Sequence, residues 1–140
     1  MIYAVIDTNV LVSAMLNFDS IPGEVINRLL NGAITPLLND TILSEYKEVL
    51  ARPKFNFNQD LVGTVIENLT SKAMFIEEEH FDEKYIDPKD IVFYEVTMTV
   101  QKENGAYLVT GNIRHYPKQL FIVTPRQMID IMDEIYIPSE

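Results

Sequence analysis

Apolar and polar positions fall in blocks along this chain, and the period of the blocks changes in a regular order. Met1, Ile2, Tyr3, Ala4, Val5 and Ile6 form a nearly unbroken apolar run. Such a run predicts a strand buried on both faces, at the centre of a parallel sheet. It stops at Asp7-Thr8-Asn9, after which 10–16 continue apolar and helical until Asn17-Phe18-Asp19. Ser20 reads as an N-cap with Pro22 in the first turn, and Ile21, Val25, Ile26, Leu29 and Leu30 fall at helical spacing. Asn31-Gly32 then closes that helix in a left-handed cap. A second strand is expected over 34–38, and a helix capped by Asn39-Asp40 puts Ile42, Leu43, Tyr46, Val49 and Leu50 on its apolar face.

Pro53 ends that helix and 54–58 read as a loop. A helix is expected over 60–72 with Leu61, Val62, Val65, Ile66 and Leu69 inward, then a third strand over 73–76. The acidic stretch from Glu77 to Asp87 reads as a solvated edge and loop. Asp87-Pro88-Lys89-Asp90 opens a helix over 91–101, with Asp87 as N-cap and Asp90 in the first turn. Lys102-Glu103-Asn104-Gly105 turns the chain into a strand over 106–109, and a fifth strand follows over 120–123. Thr124-Pro125 caps a last helix bearing Met128, Ile129, Ile131 and Met132. With strands and helices alternating and neither a repeat nor a linker between them, the pattern implies one α/β/α domain over residues 1–140.

Composition narrows the chemistry. An apolar fraction of 47% with 23% charged residues is globular, and 140 residues suffice for one core. The absence of Cys removes disulfides and thiolate metal sites. No apolar stretch is long enough to span a bilayer and the N-terminal run lacks a basic leader, so a cytoplasmic protein without a membrane partner is expected. A formal charge of −10 argues against a general nucleic-acid binder. It leaves room for an enzyme whose acids hold a cation that then meets phosphates, and for a basic partner.

Four polar residues carry the candidate chemistry. Asp7 stands at the carboxyl end of the first strand, where ligands bind in open α/β sheets, although Asp, Thr and Asn before a helix also read as a cap. Glu45 borders the apolar stripe of its helix, and Asp90 lies where a helix N-terminus favours a carboxylate. Asn112 follows the fourth strand as Asp7 follows the first, so adjacent strands would present both to one crevice. Singly, each has a plain reading as a cap, a border residue, a first-turn acid or a turn residue.

Together they bring a family into view. The stretches Ile6-Asp7-Thr8-Asn9-Val10-Leu11-Val12-Ser13-Ala14, Leu43-Ser44-Glu45-Tyr46-Lys47-Glu48-Val49-Leu50-Ala51-Arg52-Pro53-Lys54-Phe55, Asp87-Pro88-Lys89-Asp90 and Leu108-Val109-Thr110-Gly111-Asn112-Ile113-Arg114-His115-Tyr116-Pro117 occur in this order across nearly the whole chain. In them the chain resembles the PIN-domain ribonucleases, the family containing the VapC-type toxins of toxin–antitoxin pairs. The resemblance implies a three-layer α/β/α fold with a parallel five-stranded sheet ordered 3-2-1-4-5. It also implies an acidic pocket binding Mg²⁺ or Mn²⁺, with metal-ligand roles for Asp7, Glu45 and Asp90. Asn112 stands where many relatives carry a fourth acid, and Lys89 where relatives often have another. A neutral amide can still coordinate a hard cation through its oxygen.

Physically, three converging carboxylates repel one another, and without a cation one of them should ionise only at raised pH. On that resemblance Asp7 and Asp90 would be the principal ligands, Glu45 a ligand or a water-positioning base, and Asn112 the fourth member of the catalytic set. Thr8, Asn9 and Thr110 are expected to orient the carboxylates, while Arg52, Lys54, Arg114, His115 and Lys118 are candidates for contacts to an RNA backbone. The expected activity is a metal-dependent endoribonuclease acting as a toxin, with RNA as substrate and a protein antitoxin as partner. A homodimer is a family-level expectation, supported by apolar residues in 10–16 and the last helix that exceed the needs of an isolated surface. The alternative is a PIN-like module that binds RNA or protein without useful hydrolysis. A phosphatase or phosphotransferase ranks last, because Asn9 stands where an Asp-x-Asp arrangement needs its second acid.

Overall fold

The first apolar run forms β1 (Tyr3–Ile6), and every other element can be placed from it. In the computed structural model, which describes residues 1–135, the chain continues through α1 (Thr8–Leu16), α2 (Ile21–Leu30), β2 (Thr35–Leu38), α3 (Asp40–Leu50), α4 (Gln59–Lys72) and β3 (Met74–Phe75). It then passes through α5 (Ile91–Asn104), β4 (Tyr107–Val109), a 3₁₀ turn over Ile113–His115, β5 (Ile122–Val123) and α6 (Pro125–Ile135). The five strands form one parallel sheet in the order β3-β2-β1-β4-β5. Ala4, Val5 and Ile6 are all buried to within 1%. Since successive strand residues point to opposite faces, both faces of β1 are covered, as its unbroken apolar sequence requires.

Register decides what meets at the carboxyl ends. Val5 pairs with Leu108 and Ile6 with Val109, and the ladder runs one residue further, where the Asp7 N–H donates to the Val109 carbonyl at 2.9 Å. Asp7 and Thr110 thus emerge side by side at the switch point between β1 and β4, which is the ligand position of this architecture.

Local signals set the helix ends. Ser20 accepts from the Gly23 N–H at 3.1 Å and Asn39 from the Ile42 N–H at 2.8 Å, both as side-chain N-caps. Gly32 takes a φ of +93° just after α2, a conformation that favours glycine.

The elements depart from the sequence expectation mostly at their ends. Met1 is 93% exposed and lies outside β1. α4 starts at Gln59 because Asn58 accepts from the Asp60 and Leu61 N–H groups, and Leu61 faces outward, 45% exposed. β3 and β5 shrink to two residues, and Leu120, read as part of the fifth strand, is 98% exposed. α5 runs on to Asn104 before Gly105, at φ +63°, breaks it.

Asp87 does not cap α5 but closes a turn. Its carboxylate accepts from the Lys89 N–H at 2.9 Å and its carbonyl from the Asp90 N–H at 2.8 Å, which puts Asp90 at the N-cap rather than in the first turn. The acidic stretch is also more than a solvated loop. The Glu79 N–H donates to Thr99 and the Phe81 N–H to Glu95, both at 2.9 Å, strapping it along α5.

The apolar residues read as surplus are largely internal. Val10, Leu11, Ala14 and Met15 of α1 and Met128, Ile129 and Met132 of α6 are core residues, so this sequence argument for a dimer lapses.

Candidate active site

Asp7 occupies the N-cap position of α1, with β-region backbone angles, yet its side chain makes no capping hydrogen bond. The residue is only 6% exposed, and its carboxylate turns towards the chain after β4. There its Oδ2 accepts from the Thr110 hydroxyl at 2.8 Å and from the Tyr116 hydroxyl at 3.0 Å. The Thr110 oxygen in turn accepts from the Asn112 N–H at 3.0 Å, which orients its proton towards Asp7. The cap reading of Asp7 is therefore replaced by a buried carboxylate held on one oxygen by two hydroxyls.

The following residues have separate tasks. The Thr8 hydroxyl donates to Oε2 of Glu45, tying α3 to the start of α1. Asn9 accepts from the Gly111 N–H at 2.9 Å, and a Cβ at position 111 would come within 3.1 Å of that same oxygen. A side chain there would press on the bond that holds the β4 turn against α1, so the position suits glycine. Below them the Tyr46 hydroxyl donates to the Ile6 carbonyl and fixes α3 under the end of β1.

Asp90 and Glu45 are half-buried at the same end of the sheet. Burial raises the Glu45 carboxyl above its ordinary range; the Thr8 hydroxyl opposes this, and the charges of Asp7 and Asp90 add to it. Burial likewise raises Asp90, with Asp7 adding to the rise, while His115 counteracts it from 3.6 Å (Nδ1 to Oδ2). Tyr116 is held protonated by burial and by the adjacent negative Asp7, so it donates to that carboxylate. Asp7 is thus the charge that Glu45, Asp90 and Tyr116 all sense.

Among the described residues no group of three or more His, Asp or Glu side chains is drawn together closely enough to hold a metal ion as it stands. The donor set nevertheless fits a hard divalent cation. It consists of carboxylate oxygens, and Glu45 and Asp90 are raised by burial and by the charge of Asp7, a cost that a cation would relieve.

Asn112 is exposed, and it contributes backbone rather than side-chain hydrogen bonds, its carbonyl accepting from the His115 N–H at 2.9 Å. Of the other basic candidates, Arg52 pairs with Glu48 at 2.9 Å, and the Lys54 ammonium lies 5.0 Å from the centre of the Phe55 ring. Tyr116 is the participant that the sequence pattern did not single out. Its signal is weak, an aromatic residue six positions after Thr110, because only the fold turns its hydroxyl back to Asp7.

Among the described residues no helix is long and apolar enough to cross a membrane. No curated protein and no solved structure matches the chain. The family model described as PIN domain matches residues 3–114, which includes Asp7, Glu45, Asp90 and Asn112, and PIN domains are generally metal-dependent nucleases. With strand order, buried Asp7 and family match in agreement, the chain belongs to the PIN-domain family.

Proposed function

We propose that this chain is a Mg²⁺- or Mn²⁺-dependent endoribonuclease that hydrolyses RNA phosphodiester bonds, and that it serves as the toxin of a toxin–antitoxin pair. The observation that carries the nuclease reading is the buried Asp7 carboxylate, anchored by Thr110 and Tyr116 on one oxygen and coupled by charge to Glu45 and Asp90. Asp7, Glu45 and Asp90 would hold the cation. When bound, such an ion supplies positive charge against the developing phosphoryl oxygens and a water of lowered pKa. Thr110 and Tyr116 fix the direction of the Asp7 carboxylate by donating to the same oxygen. Glu45, its Oε2 held by Thr8, would orient a water or accept its proton. The toxin assignment, with a protein antitoxin as partner, rests on the resemblance in sequence motifs.

Thermal unfolding with and without Mn²⁺ tests the first half. Millimolar Mn²⁺ should raise the melting temperature of the parent by mass action and that of Asp90→Asn much less. Cleavage of single-stranded RNA should then require the ion and be lost in Asp7→Asn. Expression should arrest growth of a bacterial host for the parent but not for Asp7→Asn if the chain is a toxin. A parent that Mn²⁺ leaves unmoved would sink the catalytic reading.

One observation favours a second reading, a PIN-like module that binds RNA or protein without useful turnover. Asn112 supplies no negative charge, and its exposed side chain makes no hydrogen bond among the described residues. Binding of RNA without hydrolysis, at saturating Mn²⁺, would select it.

A further inference from the structure

The charge of this protein is unevenly distributed. From Asn104 to Ile129 the sequence contains no acid, so all 21 acidic residues lie outside that segment, while Arg114, Lys118 and Arg126 lie within it. Arg114 and Lys118 are exposed and form no ion pair among the described residues, unlike Arg28 and Arg52, which are bound to carboxylates. They flank a cavity of about 270 Å³ lined by Ile113, Arg114, Tyr116, Lys118, Gln119 and Ile122. Ile113 is itself 38% exposed at its mouth. Tyr116 lines the cavity and its hydroxyl is bonded to Asp7, so one residue joins cavity and carboxylate.

We infer that residues 112–119 form a subsite for single-stranded RNA, with one nucleobase in the cavity against Ile113 and Tyr116 and the adjoining phosphates on Arg114 and Lys118. The inference rests on the ribonuclease reading and names how its substrate is held. An apolar pocket below the roughly 300–1,000 Å³ of sites for larger ligands suits one planar base. The paired cations at its rim suit the backbone on either side of that base. Asp130 and Glu134 of α6 line an adjoining groove that shares Ile113, Lys118, Gln119 and Ile122 with the cavity. They would repel phosphate and keep the strand on the side of the 3₁₀ turn, next to Asp7. A duplex cannot offer an unstacked base to such a pocket, so the subsite selects single strands. It also answers how a chain of charge −10 meets a polyanion: through a local basic strip at the edge of its acidic pocket.

The test is fluorescence anisotropy with labelled ten-nucleotide RNAs of each single base, on the full chain carrying Asp7→Asn so that the RNA is not consumed. Adding Arg114→Ala and Lys118→Ala should raise Kd roughly tenfold at low salt, and should flatten the slope of log K against log salt by about 1.4, two single-strand phosphate contacts. Ile113→Ala should narrow the differences among the four RNAs with little change in the salt slope. All three side chains are exposed, and unchanged melting curves verify the fold. Unchanged Kd in the Arg114→Ala, Lys118→Ala chain would overturn the subsite. So would an equal loss from Arg52→Ala with Lys54→Ala, which would reduce the effect to overall charge, and so would equal affinity for a duplex. The ribonuclease reading is judged separately, by Mn²⁺ stabilisation and RNA cleavage of the parent. RNA affinity that depends on Arg114 and Lys118 in a parent that does not cleave would retain the subsite and select the binding module.

Discussion

Two strand–helix junctions in this protein look alike in sequence and do different things. Ile6-Asp7-Thr8 leads from β1 into α1, and Leu38-Asn39-Asp40 leads from β2 into α3. Both end an apolar strand on a short polar side chain of nearly equal size. Asn39 uses its oxygen as a cap on the Ile42 N–H and its amide to hold Glu78 of the acidic strap. Asp7 leaves its helix uncapped and turns its carboxylate into a crevice beside Glu45 and Asp90. The difference comes from the neighbours. β1 is central, and the chain at and beyond the adjacent β4 brings Thr110 and Tyr116 within reach of Asp7, whereas Asn39, after β2, bonds to Ile42 and Glu78. A helix that forgoes a cap loses about 1 kcal/mol, so an Asp that fails to cap while a competent cap sits at a matching junction marks a residue held for another purpose.

Substitutions at the two junctions should therefore separate cleanly. The largest effect belongs to Asp7→Asn, which should reduce metal-dependent RNA cleavage by at least about 100-fold and abolish most of the Mn²⁺ stabilisation, on the order of 2–3 kcal/mol at saturating ion. Its melting temperature in EDTA should not fall much, since the amide oxygen still accepts from Thr110 and Tyr116. An Asp7→Asn chain that cleaves RNA like the parent would erase the contrast.

Tyr116→Phe removes one of the two donors to Asp7 while keeping the buried ring. A hydrogen bond to a charged group contributes about 1.5–3 kcal/mol, and Thr110 remains as a partial substitute. The expected result is a loss of about 1–2 kcal/mol in urea unfolding with a weakened response to Mn²⁺. A purely structural hydroxyl would lower stability and leave the metal response as it is in the parent.

Asn39→Ala is the counterpart at the second junction. Loss of the cap should cost about 1 kcal/mol in equilibrium unfolding while Mn²⁺ stabilisation and cleavage stay at parental values. Should Asn39→Ala impair the metal response as Asp7→Asn does, the two junctions would be one site and the division made here would be wrong.

How much of this was legible beforehand follows from where the information sits. Strand and helix identities came from local periodicity, and the order of the sheet came with the motifs around Asp7, Glu45, Asp90 and Asn112, which the family match over residues 3–114 supports. Lost were features set by distant chain. Tyr116 reaches Asp7 across 109 positions of sequence, and no local pattern reports such a contact. Leu120 looked like strand because it is apolar, but the β4–β5 ladder begins only at Ile122. Asp87 looked like a cap, as Asp before Pro often is. Its Asx turn with Lys89 precedes the helix, and Asp90 takes the N-cap position, half-buried and without a side-chain capping bond. Asp7 and Asp90 thus share a mark that sequence cannot display, an N-cap position whose side chain caps nothing.

The smallest effect concerns pH. In the metal-free chain Glu45 and Asp90 have folded pKa values raised chiefly by burial, with the charge of Asp7 adding to each. A group with a raised folded pKa stabilises the fold fully below its unfolded pKa, about 4 for these carboxyls, and that contribution is lost as pH rises through the folded value. In EDTA the parent should therefore lose more stability than Glu45→Gln as pH rises above about 4, read as the difference between their melting temperatures at each pH. Saturating Mn²⁺ should narrow that difference, because a cation stabilises the ionised carboxylates directly. The Asn39→Ala chain, altered at the junction without a coupled carboxylate, should follow the parent's pH dependence at a constant offset. A pH-dependent gap between those two would mean that the acidic strap held by Asn39 feeds charge into the crevice, and the separation of the junctions would have to be redrawn.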